Sequence, residues 1–333
     1  MKRLAVVGAG RMAHIRTQAF LETRRVMLCG VAARRLSSAR AFAHQYGCDT
    51  CFDEFRRLSS CAPDVVLVET PHLVQEDVVC WALETGAHVL IGGSPANSAG
   101  EARRIAERAA AQGSIVEAGY EARYKAVWES ARHRLHSGEI GTLIAVRAVA
   151  LFAADPASWY YDQTDSGGMP LTHMTYAFLN PLRGLLGHPL HVSAFANRKK
   201  HTGPGLVREE TCVAGLLFPD EVLCTLTAGY VRSGPADEDA AWQVIFLGTE
   251  GELHVFPSDE GPGSLQVHSG GKVTQEVFTG DKPFLAQAQC FLDAIDGTRS
   301  CRNAPAEFVA DVMIAEAIAA SAASHRTIAI GLP

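Results

Sequence analysis

Lysine is the scarcest charged residue in this chain of 333: six of the thirty basic side chains are lysines, and none lies between Lys2 and Lys125. The 36 acidic residues bring the formal net charge to −6, so the chain lacks the basic field of a nucleic-acid surface. No apolar run reaches the roughly 18 residues that a membrane helix needs. No charged leader with a separable apolar segment precedes the opening strand "KRLAVVGAG", so secretion is not expected. The nine cysteines follow no framework spacing, which fits reduced thiols in a cytoplasmic protein. "CDTC" (Cys48 to Cys51), with Cys61 beyond it, has the spacing of a metal or redox pair. No second CxxC and no nearby His-x-x-His completes a site, and no metal is expected. Repeats and low-complexity tracts are also missing. What remains is an ordinary globular composition, 47% hydrophobic and 20% charged, in a chain long enough for two cores.

The first 120 residues alternate short apolar runs with helical patterns. The runs Leu4–Val7, Met27–Ala32, Val65–Glu69, His88–Ile91 and Ile115–Ala118 predict strands. The segments Arg11–Thr23, Ser37–Tyr46, Val74–Thr85 and Ser98–Gln112 carry apolar residues at helical spacing. Such alternation implies a parallel sheet covered on both faces. "LHSGEIG", ending at Gly141, marks a changeover, after which strand-like runs dominate, from "TLIAVRAVALF" to "VTQEVF". Helices are expected near Met169–Leu186, Pro283–Ile295 and Ala306–Ser324. The fold class is therefore α/β over 1–120, followed over 121–333 by an α+β domain with a large, mostly antiparallel sheet.

"VVGAGRMAHI" reads as strand, tight turn and helix start, with Gly8, Gly10 and Ala13 in a G-x-G-x-x-A pattern and Arg11 and Met12 opening the helix. Gly8 allows the turn, Gly10 lets backbone approach a pyrophosphate, and Ala13 lets helix and strand pack closely. The pattern, placed at residue 8 of a β-α-β succession, predicts a dinucleotide. The second strand ends "VAARRLSS", with Ala33 where an acid would bind a ribose 2′-hydroxyl, then Arg34 and Arg35. Guanidinium groups suit a 2′-phosphate, so NADP(H) is preferred and NAD(H) is the lesser cofactor.

The motifs "AVVGAGRMA", "DVVLVETPHLVQEDVVCWALETGAHVL", "LHSGEIGTLIAVRA", "DSGGMPLTHMTYAFLNPLRGLLG" and the closing "AEFVADVMIAEAIAASA" occur in order. Together they resemble the Gfo/Idh/MocA oxidoreductases over essentially the whole chain. The resemblance implies a Rossmann domain and a C-terminal domain whose sheet makes homodimer or homotetramer contacts. It also implies hydride transfer between NAD(P) and a polyol, sugar or related carbonyl compound. Thr70, Pro71, His72 and Gln75 match the family segment flanking the nicotinamide ribose. The family's catalytic set is a Glu-Lys-Pro lysine, then an aspartate and a histidine four residues apart on one helix. Here Gly92, Gly93 and Ser94 fall on Glu-Lys-Pro, or Ser94 on the lysine if the prolines are paired. Neither alignment supplies an amine. Gly93 and Ser94 are read as cofactor contacts, the glycines admitting the nicotinamide or a bulkier substrate. The aspartate and histidine positions hold Thr172 and Tyr176.

Replacement chemistry is sought at Thr172, His173 and Tyr176, spaced three and four apart. Tyr176 is the candidate proton donor to a developing alkoxide, with Thr172 orienting it or His173 acting as the acid. Tyr160, Tyr161, Asp162 and Asp165 lead into that helix and are candidates to line a small-molecule substrate site. Arg123 stands where relatives touch cofactor or substrate and suits an anionic group. Two functions remain open: a reductase of a C=O, C=N or conjugated C=C bond in a sugar-like or specialised metabolite, and a cofactor-binding homologue acting as a regulator, sensor or redox-neutral enzyme.

Overall fold

Runs of valine, leucine, isoleucine and alanine make the strands of the first half, because strands buried on both faces need apolar side chains throughout. In the computed structural model the described residues are 1–152, 159–166, 179–199, 202–207, 210–229, 242–258 and 261–331. They fall into two units, Met1–Tyr120 with Phe284–Val309, and Glu121–Pro283 with Ala310–Pro333.

The first unit runs β1 (Lys2–Val7), α1 (Arg11–Glu22), β2 (Val26–Ala32), α2 (Leu36–Gln45), β3 (Cys51–Phe52), β4 (Val65–Val68), α3 (His72–Glu84), β5 (His88–Gly92), α4 (Ala99–Gln112) and β6 (Val116–Gly119). All these strands pair in parallel in the order β3-β2-β1-β4-β5-β6. Every residue of β4 is buried, as is Leu4–Val7 of β1. The two-residue β3, which begins at the last cysteine of "CDTC", is not announced by the sequence because two residues carry no periodicity. The strand order reverses between β1 and β4, which opens a crevice at their carboxyl ends. Phe284–Val309 belongs to this unit because Phe291 and Leu292 enter the same core as Val6 and Phe20, the two phenyl rings meeting edge-on at 6.1 Å.

The second unit contains α5 (Ala126–His136), β7 (Leu143–Leu151), α6 (Gln163–Ser166), α7 (Leu179–Leu186), β8 (His191–Asn197), β9 (Thr211–Leu217), β10 (Leu223–Gly229), β11 (Trp242–Gly248), β12 (Gly251–Phe256), β13 (Gly263–Ser269) and β14 (Lys272–Phe278). Then come α8 (Pro283–Ile295), most of which belongs to the first unit, α9 (Pro305–Ser324), divided between the two, and β15 (Ile328–Ala329). The nine strands order as β14-β13-β12-β11-β7-β10-β9-β8-β15, antiparallel except for the β7–β10 pair. One face is apolar and packed: Val146, Ala148, Leu226 and Val244 share a core with Trp128 of α5, Leu182 of α7 and Ile314 of α9. On the other face Phe195, Val213 and Leu223 stand 64%, 50% and 58% exposed. Among the described residues no helix is long and apolar enough to cross a membrane.

Candidate functional site

The first unit assembles its candidate site from the loops at the carboxyl edge of its sheet. Gly8 leaves β1 at φ +111°, and a Cβ there would fall on the carbonyl oxygen of Glu69. Gly10 caps α1 with extended backbone, without a side-chain cap, and with no acidic residue in the first turn. A Cβ at Gly10 would meet nothing within 4 Å. The positive end of the α1 dipole therefore has open space beside Gly10, a place that a pyrophosphate could fit. Arg11 is exposed, Met12 half-buried, and Ala13 fully buried against the strands. At the end of β2, Ala33 is half-buried, while Arg34 and Arg35 are exposed, Arg35 as the cap residue of α2.

Beyond β4 the chain enters α3 through Pro71, and the side chains that follow turn back towards β5. Gln75, 1% exposed, donates from Nε2 to the carbonyl oxygens of Gly92 (3.1 Å) and Thr70 (3.3 Å). Its Oε1 and the Oγ1 of Thr70 are buried acceptors with no hydrogen-bond partner among the described residues. Orphaned polar atoms of this kind fit a bound ligand's amide and hydroxyl groups. His72 Nδ1 lies 2.9 Å from Asn97 Oδ1, tying the loop after β4 to the loop after β5. Ser98 then caps α4, accepting from the Glu101 amide at 3.1 Å.

The glycine-rich loop has a neighbour that its sequence does not announce. A Cβ at Gly92 would overlap the Glu69 carboxylate, so a side chain at 92 and the present position of that carboxylate exclude each other. Gly93 takes φ +67°, in the left-handed region. Ser94 is fully buried and its hydroxyl donates to the Ala96 carbonyl at 3.2 Å. That hydroxyl braces its own loop.

Sequence reasoning missed Glu69 and Arg16 altogether. Arg16 Nε lies 2.9 Å from Glu69 Oε1, with both side chains at least nine-tenths buried. Its Nη1 donates to Gln287 Oε1 at 2.7 Å and its Nη2 to the Gly119 carbonyl at 2.5 Å. One signal was present. Ala13, Arg16, Thr17 and Phe20 share the buried stripe of α1, and an arginine in that stripe requires a charged partner.

In the second unit, Thr172, His173 and Tyr176 lie outside the described residues. Trp159–Tyr161 form a turn of 3₁₀ helix that includes the backbone of Tyr160. Tyr161 is 2% exposed within the hydrophobic core, and burial, with the charge of Glu210 adding to it, pushes its phenol up to about 12. Asp162 accepts from the amides of Thr164 (2.8 Å) and Asp165 (2.9 Å), bracing the start of α6. Arg123 is half-buried and donates from Nε to the Asn180 carbonyl at 2.9 Å, holding the start of α7. Tyr161, Asp162 and Arg123 thus have structural partners of their own.

Two family models match the chain: an oxidoreductase family with an NAD-binding Rossmann fold over residues 2–120, and the Gfo/Idh/MocA C-terminal domain over 128–254. A D-glucoside 3-dehydrogenase of Escherichia coli (strain K12) is 28% identical over 205 residues, 60% of this chain and 58% of that relative's length. The structure of an aldose–aldose oxidoreductase from Caulobacter crescentus complexed with glycerol superposes with a TM-score of 0.87 at 21% identity, covering 98% of this chain and 99% of that one. A levoglucosan dehydrogenase in complex with NADH gives 0.88 at 18% identity, with both chains wholly covered. At these identities the two structures establish the fold.

Proposed function

Since the chain belongs to the Gfo/Idh/MocA family of NAD-binding oxidoreductases, we propose that it reduces a carbonyl group of a sugar-like metabolite with NADPH. The supporting observation is the start of α1 behind Gly8 and Gly10, which has no side-chain cap and where a Cβ at Gly10 would meet nothing within 4 Å, room for a pyrophosphate at the positive end of the helix dipole. The relatives named for glucosides, aldoses and levoglucosan support a sugar-like substrate. Exposed Arg34 and Arg35, with Ala33 in place of an acid, support the 2′-phosphorylated cofactor, NAD(H) being the weaker ligand.

A bound nicotinamide supplies the hydride. This chain's residues must supply the proton that the oxygen takes up. The end of β5 and the loop after it offer none: Gly92 and Gly93 have no side chain, and the Ser94 hydroxyl donates to the Ala96 carbonyl. In this reading Tyr176 donates the proton, oriented by Thr172 or replaced in the role by His173, while Thr70, Pro71, His72, Gln75, Gly93 and Ser94 border the nicotinamide. Tyr160, Tyr161, Asp162 and Arg123 remain the proposed substrate side, Tyr161 and Arg123 by shaping it. The exposed apolar face carrying Phe195, Val213 and Leu223 supports a homodimer or homotetramer through this sheet, and the free cysteines support the cytoplasm as the place of work.

Calorimetric titration with NADPH and NADH, followed by NADPH oxidation against a panel of glycosides, ketosugars and imines, tests the proposal. Tight NADPH binding with turnover of a sugar-like ketone supports it, and binding of neither nucleotide overturns it. Binding with no turnover on any compound favours a cofactor sensor instead, a role consistent with the amine-free loop after β5.

A further inference from the structure

Among the described residues, the Glu69 carboxylate is the group at the dinucleotide site whose placement the sequence does not explain. Glu69 is the first residue after β4, and its carboxylate fills the volume that a Cβ at Gly92, at the end of the neighbouring β5, would occupy. Its backbone amide donates to the Val7 carbonyl at 2.7 Å, and its own carbonyl bars any Cβ at Gly8. One residue therefore touches the ends of β1, β4 and β5 at once.

Arg16 completes the arrangement. From the buried face of α1, the helix whose amino end faces the proposed pyrophosphate, it pairs with Glu69 and also holds the Gly119 carbonyl at the end of β6. Gln287 joins in, accepting from Arg16 and donating to the Ala118 carbonyl at 3.0 Å. A Cβ at Gly119 would come within 2.9 Å of both the Arg16 guanidinium carbon and the Ile91 carbonyl oxygen. The ion pair thus lies against both strand-end glycines. Buried this deeply, the pair contributes little net stability against an apolar substitute, but it fixes a single arrangement of the groups it joins.

The geometry points to Glu69 as a positioning residue for the dinucleotide: a carboxylate supplied from the end of β4 that fills the space over Gly92, the residue that falls on the motif's glutamate in the ungapped alignment, and that joins this loop to α1 through Arg16. Its carboxyl group lies where a Cβ at Gly92 would stand, so a carboxylate reaches this loop from β4 rather than from β5. The amine of that motif has no such replacement in the first unit beyond Lys2, since no lysine precedes Lys125. This inference rests on the dinucleotide reading of the loop.

Relocating the charge tests it. NADH and NADPH affinities are measured by calorimetry for the full chain, for Glu69→Ala, for Glu69→Ala with Gly92→Glu, and for the charge-neutral pair Arg16→Gln with Glu69→Gln. Melting curves without nucleotide accompany each. Glu69→Ala is expected to weaken both nucleotides at least about tenfold, and the relocated carboxylate to restore affinity to within about threefold. The neutral pair, which leaves no unpaired buried charge, is expected to fold and yet bind at least about tenfold more weakly. A neutral pair that binds like the parent chain overturns the inference whether or not Glu69→Ala folds, and so does a folded, relocated variant no tighter than Glu69→Ala. If the neutral pair fails to fold, the ion pair is a folding requirement and the positioning role is overturned likewise. Binding of neither nucleotide by the parent chain overturns the dinucleotide reading itself.

Discussion

Gly8 turns so that the Cβ it lacks would fall on the carbonyl oxygen of Glu69. Two residues on, Gly10 faces open space. The two glycines of one motif are therefore required for different reasons. Gly8→Ala must move the β4 end or abandon φ +111°, and is expected to cost at least about 2 kcal/mol of stability. Gly10→Ala should leave the melting temperature nearly unchanged while weakening nucleotide binding about tenfold or more, its methyl group occupying the pyrophosphate's approach. Melting and calorimetry on the pair of variants check both halves; equal loss of stability in the two would contradict them.

Arg34 and Arg35 project from the end of β2 without burial. Replacing both with alanine is expected to raise the NADPH dissociation constant about tenfold, a charge-assisted contact being lost, with NADH little affected. The added variant Ala33→Asp should favour NADH further by repelling the 2′-phosphate. An unchanged NADPH-to-NADH ratio removes the arginines from cofactor choice.

Tyr176→Phe, once a turned-over substrate is found, should lower kcat at least ~10²-fold on general-acid grounds, with KM little changed. His173→Gln measured beside it separates the two candidate donors. A kcat that survives Tyr176→Phe assigns the proton elsewhere.

Arg183 Nε lies 2.7 Å from Asp311 Oδ1, with 2% and 0% of the side chains exposed, and Asn180 Nδ2 donates to the other carboxylate oxygen at 2.8 Å. Removing one partner strands a buried charge. Asp311→Ala is expected to destabilise the chain by about 3–5 kcal/mol, whereas Arg183→Met with Asp311→Leu should lie much nearer the parent. Denaturant unfolding of the three proteins decides whether the pair acts as described.

The buried phenol of Tyr161 sets an alkaline limit. An ordinary tyrosine ionises near 10, and this one is held up to about 12. The folded chain therefore keeps a proton that the unfolded chain releases. The associated stability is complete below pH 10 and disappears as pH rises through 12, a loss on the order of 2 kcal/mol. Tyr161→Phe should show a shallower decline in melting temperature across that window; matching slopes would mean the phenol is not shielded.

The amino-acid order alone determined the strand-helix alternation, the place of the dinucleotide loop and the antiparallel second half, because periodicity and glycine spacing are local properties of the chain. It also fixed the missing amine, since a lysine absent from residues 3–124 cannot be supplied there by any local conformation. Only tertiary structure could decide that Gly92 and Gly119 lie against one ion pair, that Glu69 serves two neighbouring strands, and that Phe284–Val309 joins the first unit. Each depends on side chains far apart in sequence meeting across a sheet, as Arg16 meets Gln287 over 271 residues. Such contacts leave only a faint trace in one sequence: a charged residue on an apolar stripe, whose partner the fold alone supplies.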